Sequence, residues 1–294
     1  MNKVEVLAPD ALSLITKAEI DMQISTAKAF PRSVSASIDK ALSIATISQE
    51  VAESCVYALP RAGKKLEGPS VRLAEIVASS FGNVRTGARV IANDGKTITA
   101  QGICHDLETN NCVTVEVKRK ITDKNGNTFN EDMQVVTGNA ACAIAFRNAV
   151  FKVIPAALID TVFEKVKTVA RGTAETLEIR RTKAVEWFNS KGVNDSQICE
   201  LFDIKKIKDI DIDMLSTLSG YKSSIVNDGA KIEDIFIDKL PAVSGKEYEQ
   251  IIHGVTLGTT DLEQSLQNFK LTPLQVQEIK NLEAEAKKKG GKSE

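Results

Sequence analysis

Histidine is almost absent from this chain: His105 and His253 stand alone, about 150 residues apart, which leaves histidine triads and multi-histidine metal centres poorly supplied. Cysteine is scarce too. Cys55, Cys104, Cys112, Cys142 and Cys199 are odd in number, widely spaced and lack any C-x-x-C pair. That pattern argues against a disulfide framework and a structural zinc site, and for a reducing compartment. Aromatic residues make up 5% of the chain, with a single tryptophan, so an aromatic-rich sandwich or a sugar-binding scaffold is excluded. No run of about 18 apolar residues occurs, and Met1-Asn2-Lys3-Val4-Glu5 does not open a signal peptide. The expectation is a soluble, cytoplasmic protein with no membrane partner. A nucleotide-driven motor is also missing: Gly95-Lys96-Thr97 resembles the end of a phosphate-binding loop, but Val90 occupies the position of its first glycine.

What is present is ordinary in amount and uneven in placement. The 294 residues are 43% hydrophobic and 26% charged, with a net charge of −1, which excludes a histone-like or tail-driven nucleic-acid binder. Residues 1–60 carry 5 basic and 7 acidic side chains, residues 61–171 carry 16 and 11, residues 172–238 carry 9 and 13, and the remainder carries 8 of each. A basic middle between acidic flanks points to a polyanion-binding centre.

Residues 9–57 read as helices. Asp10 opens the first and Phe30-Pro31 ends it, Ser33 caps the second, and Thr46-Ile47-Ser48-Gln49 has the form of a capping box. Pro60 to Gly68 reads as a polar loop, followed by a helix from Pro69 to Phe81 that Gly82 stops. From Val84 the apolar period changes to two, giving strands over Val84–Ala92, Lys96–Cys104 and Cys112–Ile121 with Asn93-Asp94-Gly95 as the first turn. Three consecutive strands with short turns make an antiparallel meander. Met133–Ile154 is a long apolar helix closed by Pro155, and residues 156–180 read as a charged helical connector. The predicted fold is therefore α+β: helices packed on a short three-stranded meander plus a long core helix, then a small all-helical C-terminal domain. The expected divisions are a core at 1–171, a helical accessory domain at 181–238 and a helical extension at 239–294 ending in a disordered lysine-rich tail.

Alternation assigns the strand faces. Val113, Val115 and Val117 point one way, and Glu116, Lys118 and Lys120 the other, while Arg85 shares a face with Arg89. Packed through its valines, the meander would present Arg85, Arg89, Lys118 and Lys120 on an outer face, unless that face is merely solvated. Arg147, inside the apolar helix, needs either a phosphate or an acid such as Glu75. A competing reading uses Asp106 with Glu116-Val117-Lys118: an acid followed by E-x-K on the next strand is the arrangement with which restriction-type nucleases hold magnesium and activate water.

The stretch from Tyr57 to Pro155 resembles the RecT/Red-beta superfamily of phage single-strand annealing proteins. The resemblance is carried by Leu59-Pro60-Arg61-Ala62-Gly63-Lys64, Gly68-Pro69-Ser70-Val71-Arg72-Leu73-Ala74-Glu75-Ile76, Phe81-Gly82-Asn83, Gly102-Ile103-Cys104-His105-Asp106-Leu107-Glu108 and Ala145-Phe146-Arg147-Asn148-Ala149-Val150-Phe151-Lys152. It implies binding of single-stranded DNA in a basic groove and annealing of complementary strands in phage recombination, with neither nucleotide, metal nor other cofactor. It further implies assembly as a ring or helical filament. A C-terminal contact through 181–238 with host single-strand binding protein or a phage exonuclease would follow the same pattern. On this reading the phosphate contacts are Lys64, Lys65, Arg72, Arg85, Arg89, Lys118, Lys120, Arg147 and Lys152, with Arg72, Arg147 and Lys152 foremost.

Overall fold

The computed structural model describes residues 9–61, 64–123, 125–173, 176–236, 243–257, 259–260, 262, 265, 271 and 273–290. It is an α+β fold, mostly helical, with a three-stranded antiparallel sheet and a separate two-stranded one. The described residues fall into two compact units, Met1–Ile235 and Phe236–Glu294.

In the first unit, α1 (Pro9–Ala29) leads to α2 (Val34–Ala45), whose N-cap Ser33 accepts a hydrogen bond from the Ala36 amide. Ser48, rather than Thr46, caps α3 (Gln49–Ser54); the Thr46 hydroxyl instead donates back to the Leu42 carbonyl at 2.7 Å. The segment expected to be a polar loop is a hairpin, β1 (Val56–Arg61) paired with β2 (Lys64–Pro69). Its two prolines and four charged residues hid it, because an isolated two-stranded ribbon has little stability of its own. Tertiary contacts supply the rest, as described below. Ser70 caps α4 (Val71–Phe81), so Pro69 closes a strand and does not open the helix.

The meander follows as expected: β3 (Val84–Asn93), β4 (Thr97–Asp106) and β5 (Asn111–Lys120), in that spatial order. In the first turn Gly95 sits at φ +79°, and the Asp94 carboxylate accepts from the Lys96 and Thr97 amides at 2.9 and 2.6 Å. The long helix α5 (Glu131–Val153), capped by Asn130, lies across the inner face of the sheet. Small residues permit the approach: Ala100 on β4 packs with Ala141 and Ala145 of α5. At Gly102 a Cβ would stand 2.2 Å from the Ala145 carbonyl oxygen, so no other residue fits there.

The main core lies beside α5 and reaches the sheet at Cys104 and Val115. There α2, α3, α4 and α6 (Ala156–Arg171) bury Leu73, Val77, Phe81, Val150, Leu158, Val162 and Val166. The segment expected to connect domains is thus an amphipathic core helix. Beyond it, α7 (Leu177–Asn189), α8 (Asp195–Phe202), α9 (Ile212–Asp228) and α10 (Ile232–Ile235) belong to the same compact unit as the meander. The division expected between 171 and 181 therefore falls inside one unit. The reason is α9, which packs on β1: Gly220 lies against Ala58, and the Ser224 hydroxyl donates to the Ala58 carbonyl at 2.6 Å.

The second unit contains α11 (Gly245–Leu257) and α12 (Pro273–Gly290), joined through Ile251, Val255 and Ile279. The Tyr248 hydroxyl donates to Glu278 at 2.8 Å, and burial followed by that carboxylate pushes the phenol up to about 12. The backbone of Lys287–Lys289 is helical, where a disordered tail was expected; residues 291–294 lie outside the described residues. Among the described residues no single helix is long and apolar enough to cross a membrane.

Candidate nucleic-acid interface

Strand register decides what shares a surface. Arg85 pairs with His105, Arg89 with Gln101, Gln101 with Glu116, Thr99 with Lys118 and Thr97 with Lys120. Directly paired residues point to the same side of a sheet, so Arg85, Arg89, Lys118 and Lys120 lie on one face, as alternation predicted. The opposite face carries Ala100, Cys104, Val115 and Val117 and packs against helices. Adjacent strands lie about 4.8 Å apart, which puts the arginines of β3 and the lysines of β5 on rows about 10 Å from each other.

Between these rows runs a weakly polar floor. Gly87 pairs with Ile103, and Ile103 with Thr114; Ile103 and Thr114 are exposed. Arg89, Lys118 and Lys120 are exposed as well, whereas Arg85 is half-buried and donates to the Gln23 side chain of α1 at 3.1 Å. Glu116 is the single carboxylate among the strand residues of this face. The arrangement is a shallow trough with cationic edges and an uncharged centre, suited chemically to a chain that is anionic along its edges and apolar along its bases.

Arg147 lies elsewhere. Its guanidinium donates to Asp228 of α9 at 3.2 Å and covers the Tyr57 ring at 4.6 Å, and the two ionic side chains are only 12% and 6% exposed. Of the two readings open for this arginine, an acid partner is the one realised, and the acid is Asp228 rather than Glu75. Arg119, on the valine face of β5, completes the arrangement by donating to the carbonyls of Asp228 and Gly229 at 3.0 and 3.1 Å. Those carbonyls end α9, where cations are favoured and where Gly229 turns the chain at φ +63°. Burial pushes the Asp228 carboxyl up against the pull of Arg147, and its second oxygen finds no partner among the described residues. Arg119 was missed in the sequence, although a charge in register with three inward valines is itself a sign of a buried partner.

The remaining candidates scatter. Arg72 is exposed and paired with Glu75 at 2.6 Å, and Lys65 is paired with Glu67 at 2.7 Å. Lys152 is exposed near the end of α5. The backbone of Lys64 opens β2, but its side chain lies outside what the structure describes.

The nuclease constellation does not assemble. Asp106 points to the inner side of the sheet while Glu116 and Lys118 point outward, and Glu116 lies five positions along β5 from Asn111, the partner of Asp106, a span of about 17 Å. Asp106 is already engaged: Arg32 forms ion pairs with both Asp106 and Glu108, and its guanidinium lies 3.9 Å from the Phe81 ring centre. Burial works to raise the Asp106 carboxyl, yet the Arg32 guanidinium and its other hydrogen bonds hold it below the usual carboxylate range. Among the described residues no group of three or more His, Cys, Asp or Glu side chains is placed to hold a metal ion.

Compared with known proteins, the chain matches no family model, no curated sequence and no solved structure.

Proposed function

We propose that this chain binds single-stranded DNA on the outer face of the β3–β5 meander and anneals complementary strands, with neither nucleotide nor metal. The observation that carries this reading is the trough itself: four cations, one carboxylate and an uncharged floor, exposed at Ile103 and Thr114, on one face of the sheet. Cationic edges hold phosphates, and the absence of stacked aromatic side chains on the floor leaves base edges free to meet a second strand. The sequence resemblance to phage annealing proteins supports the same reading, and with it a role in recombination in a bacterial cytoplasm.

Assembly of several copies belongs to the proposal. Residues 13–19 of α1 are exposed on every side, and Leu14, Ile15 and Met22 are 68%, 47% and 64% exposed. Helices draw most of their stability from packing an apolar face, and a neighbouring copy would cover these apolar residues. Contacts of 181–238 with host single-strand binding protein or a phage exonuclease remain part of the same proposal and draw their support from the resemblance.

The test mixes the protein with complementary labelled oligonucleotides, with and without magnesium, and follows both pairing and strand length. Accelerated pairing of intact strands, declining as salt rises, is the expected result. Shortened strands appearing with magnesium, or no binding at all, would overturn the reading.

A further inference from the structure

The single tryptophan lies far from the meander trough in sequence and is unused by it. Trp187 is half-buried on α7, held edge-on against the fully buried Phe188 ring with centroids 4.9 Å apart. Two lysines approach the indole: Lys191, in the turn that follows the same helix, at 5.9 Å, and Lys222, from α9, at 5.3 Å. Both are exposed, and neither forms an ion pair among the described residues. Some exposed cations on this unit are neutralised locally, as Lys65 is by Glu67, Arg171 by Asp213 and Arg72 by Glu75; these two lysines are not. Lys222 also lines a cleft of about 260 Å³, together with Arg72, Ser219, Ser223 and Asn227.

We infer that Trp187, with Lys191, Lys222 and the adjoining Arg72 cleft, forms a second binding site for single-stranded nucleic acid, in which a base stacks on the indole and its flanking phosphates take the lysines. The inference rests on the proposed DNA-binding function and adds to it a site that the trough does not contain. A planar ring held from behind by a buried aromatic offers a fixed stacking surface. Exposed lysines over a half-buried ring are weakly held and can swing to a phosphate without leaving a buried charge behind. Glu50 and Glu53 also line the cleft, but Glu53 is occupied by Arg180 and Ser219. A second site suits annealing, which must bring two strands to one protein.

Because Trp187 is the only tryptophan, its emission reports this site alone. The experiment titrates the full chain with a labelled dT oligonucleotide and reads label anisotropy and tryptophan emission together. Quenching that saturates with binding and weakens with salt is expected. In the double variant Lys191→Glu with Lys222→Glu, checked for folding by circular dichroism, quenching should vanish and affinity should fall about tenfold, the loss of roughly one stacked base with its phosphate contacts. Oligonucleotide binding with unchanged emission would overturn this inference and leave the annealing reading intact. Equal quenching by polyglutamate would overturn it in favour of an acidic peptide. No rise in anisotropy would remove both readings.

Discussion

On the inner face of the meander, Val115 and Val117 alternate with Arg119, and Ala100, Gly102 and Cys104 lie beside them under the helices. On the outer face of the same strands, Arg89, Ile103, Thr114, Glu116, Lys118 and Lys120 meet solvent. The two sides hold their cations differently. Arg119 is fixed to the end of α9 through two backbone carbonyls, while Lys118 and Lys120, each one residue away, are exposed. One step along a strand thus separates a structural cation from one available to a ligand, because neighbouring residues point to opposite faces.

The contrast is sharpest at two glycines. Gly102→Val would drive its side chain into the Ala145 backbone, 2.2 Å from the Cβ position, and should cost more than about 3 kcal/mol or abolish folding. Gly87→Val, on the outer face, meets nothing nearer than Ile103 Cγ2 at 3.8 Å and should change stability by less than about 0.5 kcal/mol. Urea unfolding of the two variants measures the difference, and equal losses would mean that the faces are misassigned.

Two arginines make the next comparison. Arg147→Ala leaves Asp228 buried without its partner and should destabilise by about 3–5 kcal/mol, lowering DNA binding only through unfolding. Arg89→Ala should leave the thermal midpoint nearly unchanged. Combined with Lys118→Ala it should weaken oligonucleotide binding about tenfold and reduce the slope of log affinity against log salt by about 1.4, or 0.7 for each lost phosphate contact. Normal affinity in this pair would remove the trough from the proposal.

A smaller effect concerns pH. The folded-state pKa of Asp106 is depressed, so its stabilising contribution is present above the ordinary carboxylate range, near pH 4, and is lost as pH falls through the depressed value. Asp106→Asn should be less stable at pH 7, with a shallower decline between about pH 5 and pH 2. Acid titration of unfolding free energy checks the sign; an unchanged acid limb would show that the Arg32 ion pairs contribute little.

Much of the architecture was legible because it rests on local rules. The change of apolar period at Val84 located the meander, with strand ends within two residues of those observed, and valine alternation on β5 assigned the faces correctly. Ser33 and the Asn93-Asp94-Gly95 turn behave as their side chains dictate. The β1–β2 hairpin was not legible, since what holds it is α9, more than 150 residues later. Nor was the inclusion of 181–235 in the first unit, which follows from the same contact.

The amino-acid sequence by itself determined which elements form and which strand residues face together, because periodicity and capping act over a few neighbours. Only the tertiary structure decided which cations are free. Arg147 and Asp228 are 81 residues apart, and Arg32 and Asp106 are 74 apart. Ion pairs over such separations exist only once the chain has closed on itself, so the charges that looked most functional in the helix and at the strand end proved to be internal fastenings. Arg89, Lys118 and Lys120 lie exposed on the outer sheet face, where their alternation had placed them.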